Sequence, residues 1–305
     1  MDVGHLDLLR EFAERGSVTA VAEATFRTPS AVSQQLKALQ REAGVALLEK
    51  HGRGLRLTAA GEALAESAVG IATARAAAEA AWQEFRGGEG GGVRLATFPS
   101  AAQMLLPGLL TRVATMDDLQ LTCADIDVAQ SDFEALTADH DIVLAHGPDT
   151  DPVRAHGSIE AVELMREPLD VALPPGHRLA RRRTVSPADL VGEDWIGVPK
   201  GWPFDFLLDA IGSQAGAPMN VVQRFGEIAI TEALVAAGHG IALVPRYTAH
   251  HRQGQRFALK QLSGIRAGRH IVAFMRPDRA ERRAVRRVVD LLREESQAIQ
   301  QAWGD

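Results

Sequence analysis

The chain has 305 residues, 46% of them hydrophobic, with a formal net charge of −6. It is long enough to bury more than one core, and it is too acidic to coat nucleic acid with its whole surface. The single cysteine, Cys123, excludes an internal disulfide and a cysteine-based metal centre, so neither a structural metal nor a cofactor is expected.

The opening Met1-Asp-Val-Gly-His has neither the basic nor the apolar part of an export signal, and no apolar run is long enough to span a bilayer. Cytoplasmic location without a membrane partner is the expectation. Leu6, Leu9, Phe12 and Ala13 recur at helical spacing and Gly16 stops that helix. Val18, Val21, Ala22 and Ala24 then line one face of a short second helix, and Val32, Leu36 and Leu39 one face of a third. Thr28 suits an N-cap and Pro29 the first helical turn, where its missing N–H costs nothing; residues 25–28 are a turn. Two helices joined in this way are a helix-turn-helix, with Ser30, Ser33, Gln34 and Lys37 outside, where they can meet base edges or phosphates in a major groove.

Residues 47–58 read as a β-hairpin whose Gly52 and Gly54 supply the turn and whose Lys50, Arg53 and Arg56 lie near its tip, forming a wing. Residues 20–60 carry six Lys/Arg (Arg27, Lys37, Arg41, Lys50, Arg53, Arg56) against three Glu (Glu23, Glu42, Glu49), a local +3 within an acidic whole. Double-stranded DNA is therefore the expected partner, contacted by Thr28, Pro29, Ser30, Ser33, Gln34, Lys37, Lys50 and Arg53. Taken singly, any of these is an ordinary surface residue; the ordered set carries the inference.

From Ala59 to Arg86 the sequence is rich in Ala and Glu, and Leu64, Ala68, Ile71, Ala78, Trp82 and Phe85 form a seam that is buried only against another helix. Arg75 interrupts it. Gly87-Gly-Glu-Gly-Gly-Gly ends the helix and forms a joint; its glycine spacing fits no nucleotide loop. Strand-like and helical runs then alternate: strands at 93–97, 119–126 and 142–145 with helical stretches at 102–115 and 132–138. A second unit has strands near 169–173, 195–198, 221–225 and 241–244 and helices near 204–212 and 229–237. The strand 269–274 and the helix 279–301 close the chain. This is parallel α/β patterning.

Ser17, Ala20, Ala22, Ala31, Val32, Ser33, Leu36, Leu39, Gly44, Leu57, Thr58, Ala60 and Gly61 together resemble the DNA-binding domain of LysR-type transcriptional regulators, and the rest of the chain resembles that family's effector region in length and order. Gln40, Leu48 and Lys50 depart from the family's usual Glu, Phe and Arg; Lys50 keeps charge but loses a bidentate fork. The resemblance implies an α+β and α/β protein: a winged helix-turn-helix domain at 1–58, a dimer-forming linker helix at 59–86, a glycine hinge at 87–92, and an effector-binding domain at 93–305. That last domain would resemble periplasmic-binding proteins, with lobe I at about 93–166 and 265–305 and lobe II at about 167–264. A homodimer assembling into a tetramer is implied, with RNA polymerase as a further partner.

In open α/β sheets ligands sit beyond the carboxyl ends of strands. Thr97, Ser100, His146, Trp202, Phe204, Glu227 and Ile228 occupy such positions and are the candidate effector contacts, Ser100 as a helix cap and donor to an anion, His146 as a pH-sensitive polar contact, and Trp202 and Phe204 as apolar walls. Glu227 and Asp205 point to a cationic ligand and helix N-termini to a carboxylate, which an amino acid would combine; an organic acid meets only the second. An α/β enzyme is the competing class, but no Gly-x-Ser-x-Gly, His-Glu-x-x-His or Cys-x-x-Cys occurs, and His250-His251 is read as part of a polar tail. A solute-binding module with an accessory helix-turn-helix is a third.

Overall fold

The computed structural model describes residues 1–86, 90–126, 128, 132–149, 159–202, 204–253 and 256–303. Helix α1 (Val3–Arg15) is capped by the Asp2 carboxylate, which accepts from the Gly4 and His5 amides, and is ended by Gly16 at φ 68°. Ser17 caps α2 (Val18–Ala24), and the Thr28 hydroxyl caps α3 (Pro29–Ala43) by accepting from the Ala31 amide at 3.2 Å. Caps at every start and a left-handed glycine at two stops explain why these short segments are helical at the expected bounds. Their inward faces form one small core of Leu9, Phe12, Val21, Val32, Leu36 and Leu39, each at most 2% exposed.

Strands β1 (Leu48–His51) and β2 (Gly54–Leu57) form the antiparallel hairpin. Gly52 alone takes the left-handed conformation, at φ 58°; Gly54 is the first residue of β2. Helix α4 runs from Ala59 to Phe85, capped by Thr58. Its Gly61 is needed for close approach, because a Cβ there would lie 2.1 Å from the Leu47 carbonyl oxygen. Gly87 to Glu89, half of the expected hinge, fall outside the described residues, and Gly91, also assigned to it, already begins a strand.

The remainder is built on one eight-stranded sheet and a small two-stranded one. Strand β3 (Gly91–Thr97) runs parallel to β4 (Leu119–Asp125) and β5 (Ile142–Pro148), with α5 (Pro99–Val113) between β3 and β4. Strand β6 (Glu160–Leu173) has 14 residues, nine more than the run at 169–173 suggested. Beyond it come β7 (Thr184–Val185), β8 (Asp194–Gly197), α6 (Asp205–Ala215), β9 (Asn220–Arg224), α7 (Ile228–Ala236) and β10 (Ala242–Pro245). Helix α8 (Arg246–Gln253), β11 (Ala258–Leu262), β12 (Gly268–Met275), α9 (Pro277–Ala280) and α10 (Arg283–Trp303) complete the chain.

The sheet is mixed, not parallel: β12 is antiparallel to both β5 and β6. The Glu160–Pro168 part of β6 pairs with β12, whereas Leu169–Leu173 pairs with β10 and β11, so one strand belongs to two layers of packing. The first half, with β3, β4, β5 and β12, packs on α5 and α10 around a core that includes Leu95, Leu105, Val143, Ile271 and Val288. The second half, with β8 and α6, packs around Val171, Leu179, Trp195 and Ile211. His250 and His251, assigned to a polar tail, lie on α8, which begins directly after Pro245, the last residue of β10.

Candidate functional site

Helix α3 turns Val32, Leu36 and Leu39 into the core, and its polar residues face outward as helical geometry requires. Thr28, Pro29, Ser30, Gln34 and Lys37 are exposed and Ser33 is half-buried at the edge of the row. The row is flanked by the hairpin, where Lys50 and Arg53 are exposed. Two expected contributors are engaged within the chain: Arg56 pairs with Glu49 across the hairpin at 2.7 Å, and Arg27 donates to Gln35. Gln40, which departs from the family pattern, fixes the wing to α3, since its Oε1 accepts from the Leu47 and Leu48 amides at 3.0 and 3.3 Å. Phe26, at the turn between α2 and α3, is fully exposed with φ 53°; the sequence reading did not single it out, although an aromatic residue in a polar turn is the visible signal.

The linker seam divides in two. Ala68 is buried and Leu64 half-buried against the core of α1 to α3, so those two are taken up by their own chain. Ile71, Ala78, Trp82 and Phe85 are exposed, and the rings of Trp82 and Phe85 stack at 5.5 Å. Arg75 is no defect in the seam: it reaches the Asp7 carboxylate of α1 at 2.8 Å.

A cleft opens where the two halves of β6 meet. It encloses about 100 Å³ and is lined by Ser100, His146, Trp202, Phe204, Glu227 and Ile228, all of them predicted, and by Phe98, Phe225, Thr248 and Arg269, which were not. Thr97, also predicted, is buried behind the wall, its hydroxyl donating to the Phe98 carbonyl at 3.3 Å. Ser100 is not the cap of α5; Phe98 holds that position without a side-chain bond, and the Ser100 Oγ instead accepts from Arg269 Nη2 at 2.9 Å. The wall is aromatic: His146 meets Phe98 edge-on at 4.6 Å and stacks on Phe204 at 5.7 Å.

Charge inside the cleft is closed. Arg269 is 2% exposed and donates to Glu167 Oε2 at 2.6 and 2.8 Å, and the fully enclosed Glu167 also accepts from the Tyr247 and Thr248 amides at the start of α8. A buried cation thus has a buried anion, and that anion has helix-terminal donors. The pair could have been suspected from a Glu and an Arg standing in otherwise apolar strand runs. Burial, and then the charge of Arg269, push the His146 imidazole down to about 3, so it is neutral. At the mouth, burial raises the Asp205 carboxyl, but the Arg224 guanidinium at 2.6 Å and the Gly201 amide at 3.2 Å outweigh it and hold the group below its usual range. Glu227 caps α7 by accepting from the Ala229 amide. Of the two carboxylates invoked for a cationic ligand, Asp205 is paired with Arg224, whereas Glu227, an exposed residue of the lining, spends one oxygen on the α7 cap.

Two family models match: "Bacterial regulatory helix-turn-helix protein, lysR family" over residues 3–62 and "LysR substrate binding domain" over residues 86–297. The chain belongs to the LysR family. It is a DNA-binding transcriptional regulator with an effector-binding domain, and the resemblance read from its helix-turn-helix holds for the whole fold. Curated relatives of this LysR-family chain include the Hca operon transcriptional activator HcaR of Escherichia coli, 28% identical with 84% of this chain and 85% of the relative covered. Another is the regulator AlsR of Bacillus subtilis, 29% identical with 80% of each covered. Among solved structures, a single-residue variant of full-length OxyR from Pseudomonas aeruginosa has a TM-score of 0.70 at 16% identity, over 97% of this chain and 95% of that one. CbnR complexed with its target DNA has 0.56 at 22%, over 97% and 100%. These relatives are transcriptional regulators, and among the described residues no helix is long and apolar enough to cross a membrane.

Proposed function

We propose that this regulator acts in the cytoplasm by laying α3 into a major groove. Ser30, Ser33, Gln34 and Lys37 meet base edges and phosphates, Thr28 and Pro29 bring the helix start to the backbone, and Lys50 and Arg53 of the wing hold flanking phosphates. The single observation behind this reading is the outward polar row of α3 beside a hairpin carrying two exposed cations. Similarity to a regulator solved with its target DNA supports it. Gel-shift titrations test it: Lys37→Ala and Arg53→Ala each weaken operator binding and lower the salt dependence of log K by about one phosphate contact. Unchanged affinity in both, across salt, rejects the assignment.

The exposed remainder of the seam, Ile71, Ala78, Trp82 and Phe85, pairs with the same face of a second copy, and two dimers form a tetramer that can present DNA to RNA polymerase. Replacing Trp82 and Phe85 together by Ser leaves monomers in light scattering while the far-ultraviolet spectrum is kept. The interlobe cleft holds a small-molecule effector, and the chain works by binding, not by chemistry. Its ligand shifts the population of DNA-domain arrangements only so far as it prefers one of them.

A further inference from the structure

The inner charges of the cleft are paired within the protein itself. Arg269 is bound to Glu167 and Ser100 and lies 5.0 Å over the Phe98 ring, and Thr248 Oγ1 is within 3.4 Å of Glu167. A ligand carboxylate would lose its water here without finding an unshared cation, since Arg269 is paired with Glu167 and Arg224 with Asp205, a cost those closed ion pairs cannot return. Gln103 and Glu227 stand exposed in the lining, and the neutral polar group set into its wall is His146. It is nine-tenths buried in the cavity wall, and its Nδ1 has no hydrogen-bond partner. A buried N–H without an acceptor is the rarer kind of orphan, so the proton belongs on Nε2, at the tip of the ring. The neutral imidazole thus has one N–H to offer.

Shape narrows the occupant further. The walls are the rings of Phe98, His146, Phe204 and Trp202, and Trp202 is pressed so closely on Gly226 that a Cβ there would lie 2.8 Å from the indole. Phe204 stands in its stacking position although its φ is 80°, a left-handed conformation costly for a bulky side chain. Ring walls favour a planar guest in offset or edge-on contact. The volume of about 100 Å³ sets its size. An engineered apolar cavity of roughly 150 Å³ takes one benzene.

Resting on the reading of the cleft as the effector site, we propose that it takes an uncharged molecule with a single aromatic ring and one oxygen acceptor, a phenol or a ring carbonyl compound. The ring lies among Phe98, His146, Phe204 and Trp202, and the oxygen accepts from His146 Nε2. Amino acids and ring carboxylates are disfavoured because each carries a carboxylate into a compartment whose cations are already paired.

Calorimetric titration of the full-length protein at neutral pH with phenol, benzoate, L-phenylalanine and toluene tests this. Saturable phenol binding is expected, with benzoate and phenylalanine at least tenfold weaker. His146→Phe keeps a ring of similar size; it should weaken phenol at least fivefold and leave toluene unchanged, with thermal midpoint and DNA affinity retained as controls for folding. Benzoate or phenylalanine binding as tightly as phenol, and weakened by His146→Phe, overturns the claim of an uncharged ligand while the cleft stays the effector site. Phenol binding that is indifferent to His146→Phe puts the ring elsewhere and overturns both. No saturable binding of phenol overturns the ligand class.

Discussion

His146 titrates far from where a histidine ordinarily does, and the consequence for stability has a definite sign. Its folded value is about 3 because burial excludes the imidazolium, while the unfolded chain's histidine titrates near 6.5. A histidine with a depressed folded value gives stability that is fully present above about pH 6.5 and is lost as pH falls toward 3, at about 1.4 kcal/mol per pH unit. Denaturant unfolding of wild type against His146→Phe, followed from pH 7 to pH 4, should show this extra slope only in the wild type. Parallel slopes would mean that the imidazole is protonated in the fold. The position was legible in the sequence as a histidine ending the strand at 142–145, but its neutrality was not. It depends on Phe98, Phe133 and Phe204 closing around the ring, residues that are far apart in the chain.

At the scale of elements, the winged domain illustrates how local chemistry sets boundaries. Ser17, Thr28 and Thr58 each cap the helix that follows, and each could be named beforehand because a short hydroxyl side chain before a helical run satisfies an amide that would otherwise lack a partner. Gly61 is different. Its necessity lies in the approach of α4 to the Leu47 carbonyl, where Thr58 Oγ1 also ties the helix start to the Ala46 carbonyl at 2.7 Å. Gly61→Ala should therefore destabilise the domain by about 1–3 kcal/mol through forced displacement, although alanine is the better helix former. Thermal unfolding of the mutant checks it; a gain in stability would mean that the helix can slide away at no cost.

Helix α8 escaped the sequence reading because its polar residues carry no apolar stripe, and β11 because it is a five-residue partner of β6 with only partial burial. The first nine residues of β6 were missed for a similar reason: Glu160, Glu163, Arg166 and Glu167 break the apolar run, and only the pairing with β12 makes them a strand.

The whole molecule is held in one arrangement by a cluster of charges between α1 and the body of the effector domain. Arg276, just past β12, donates to Glu11 at 2.9 Å and Glu14 at 2.7 Å; Arg10 reaches Asp278 at 2.8 Å; Arg15 donates to the Ala138 carbonyl at 2.8 Å. Both attachment points lead back to the cleft. β12, which carries Arg269 as its second residue, ends at Met275 immediately before Arg276, and the turn Glu134–Ala138 follows Phe133, whose ring lies 5.4 Å from His146. Burial raises the Glu11 and Asp278 carboxyls, but their arginine partners outweigh it and hold both below the usual range, whereas burial keeps Glu14 above it. The lowered pair contributes stability that is present above about pH 4 and lost as pH falls further; Glu14 works in the opposite direction. Arg276→Ala should free α1, raising hydrogen exchange in residues 3–15 and weakening the effect of ligand on DNA affinity while leaving unliganded α3 contacts intact. Protection in α1 equal to that of the wild type would show that the clamp does not hold the domain.

What the sequence determined by itself was everything governed by neighbours within a turn or two of chain. The caps, the inward stripe of α3, the outward row of Ser30, Gln34 and Lys37, the glycine stops, and the alternation of strands with helices all follow from steric and hydrogen-bonding rules that act over a few residues. The family resemblance rests on that same local pattern. Tertiary structure alone decided the mixed direction of the sheet, the shared strand β6, the closing of Arg269 onto Glu167 102 positions away, and the division of the α4 seam between its own core and solvent. Those depend on which distant surfaces meet, and burial, which sets both charge pairing and the titration of His146, has no value until they do.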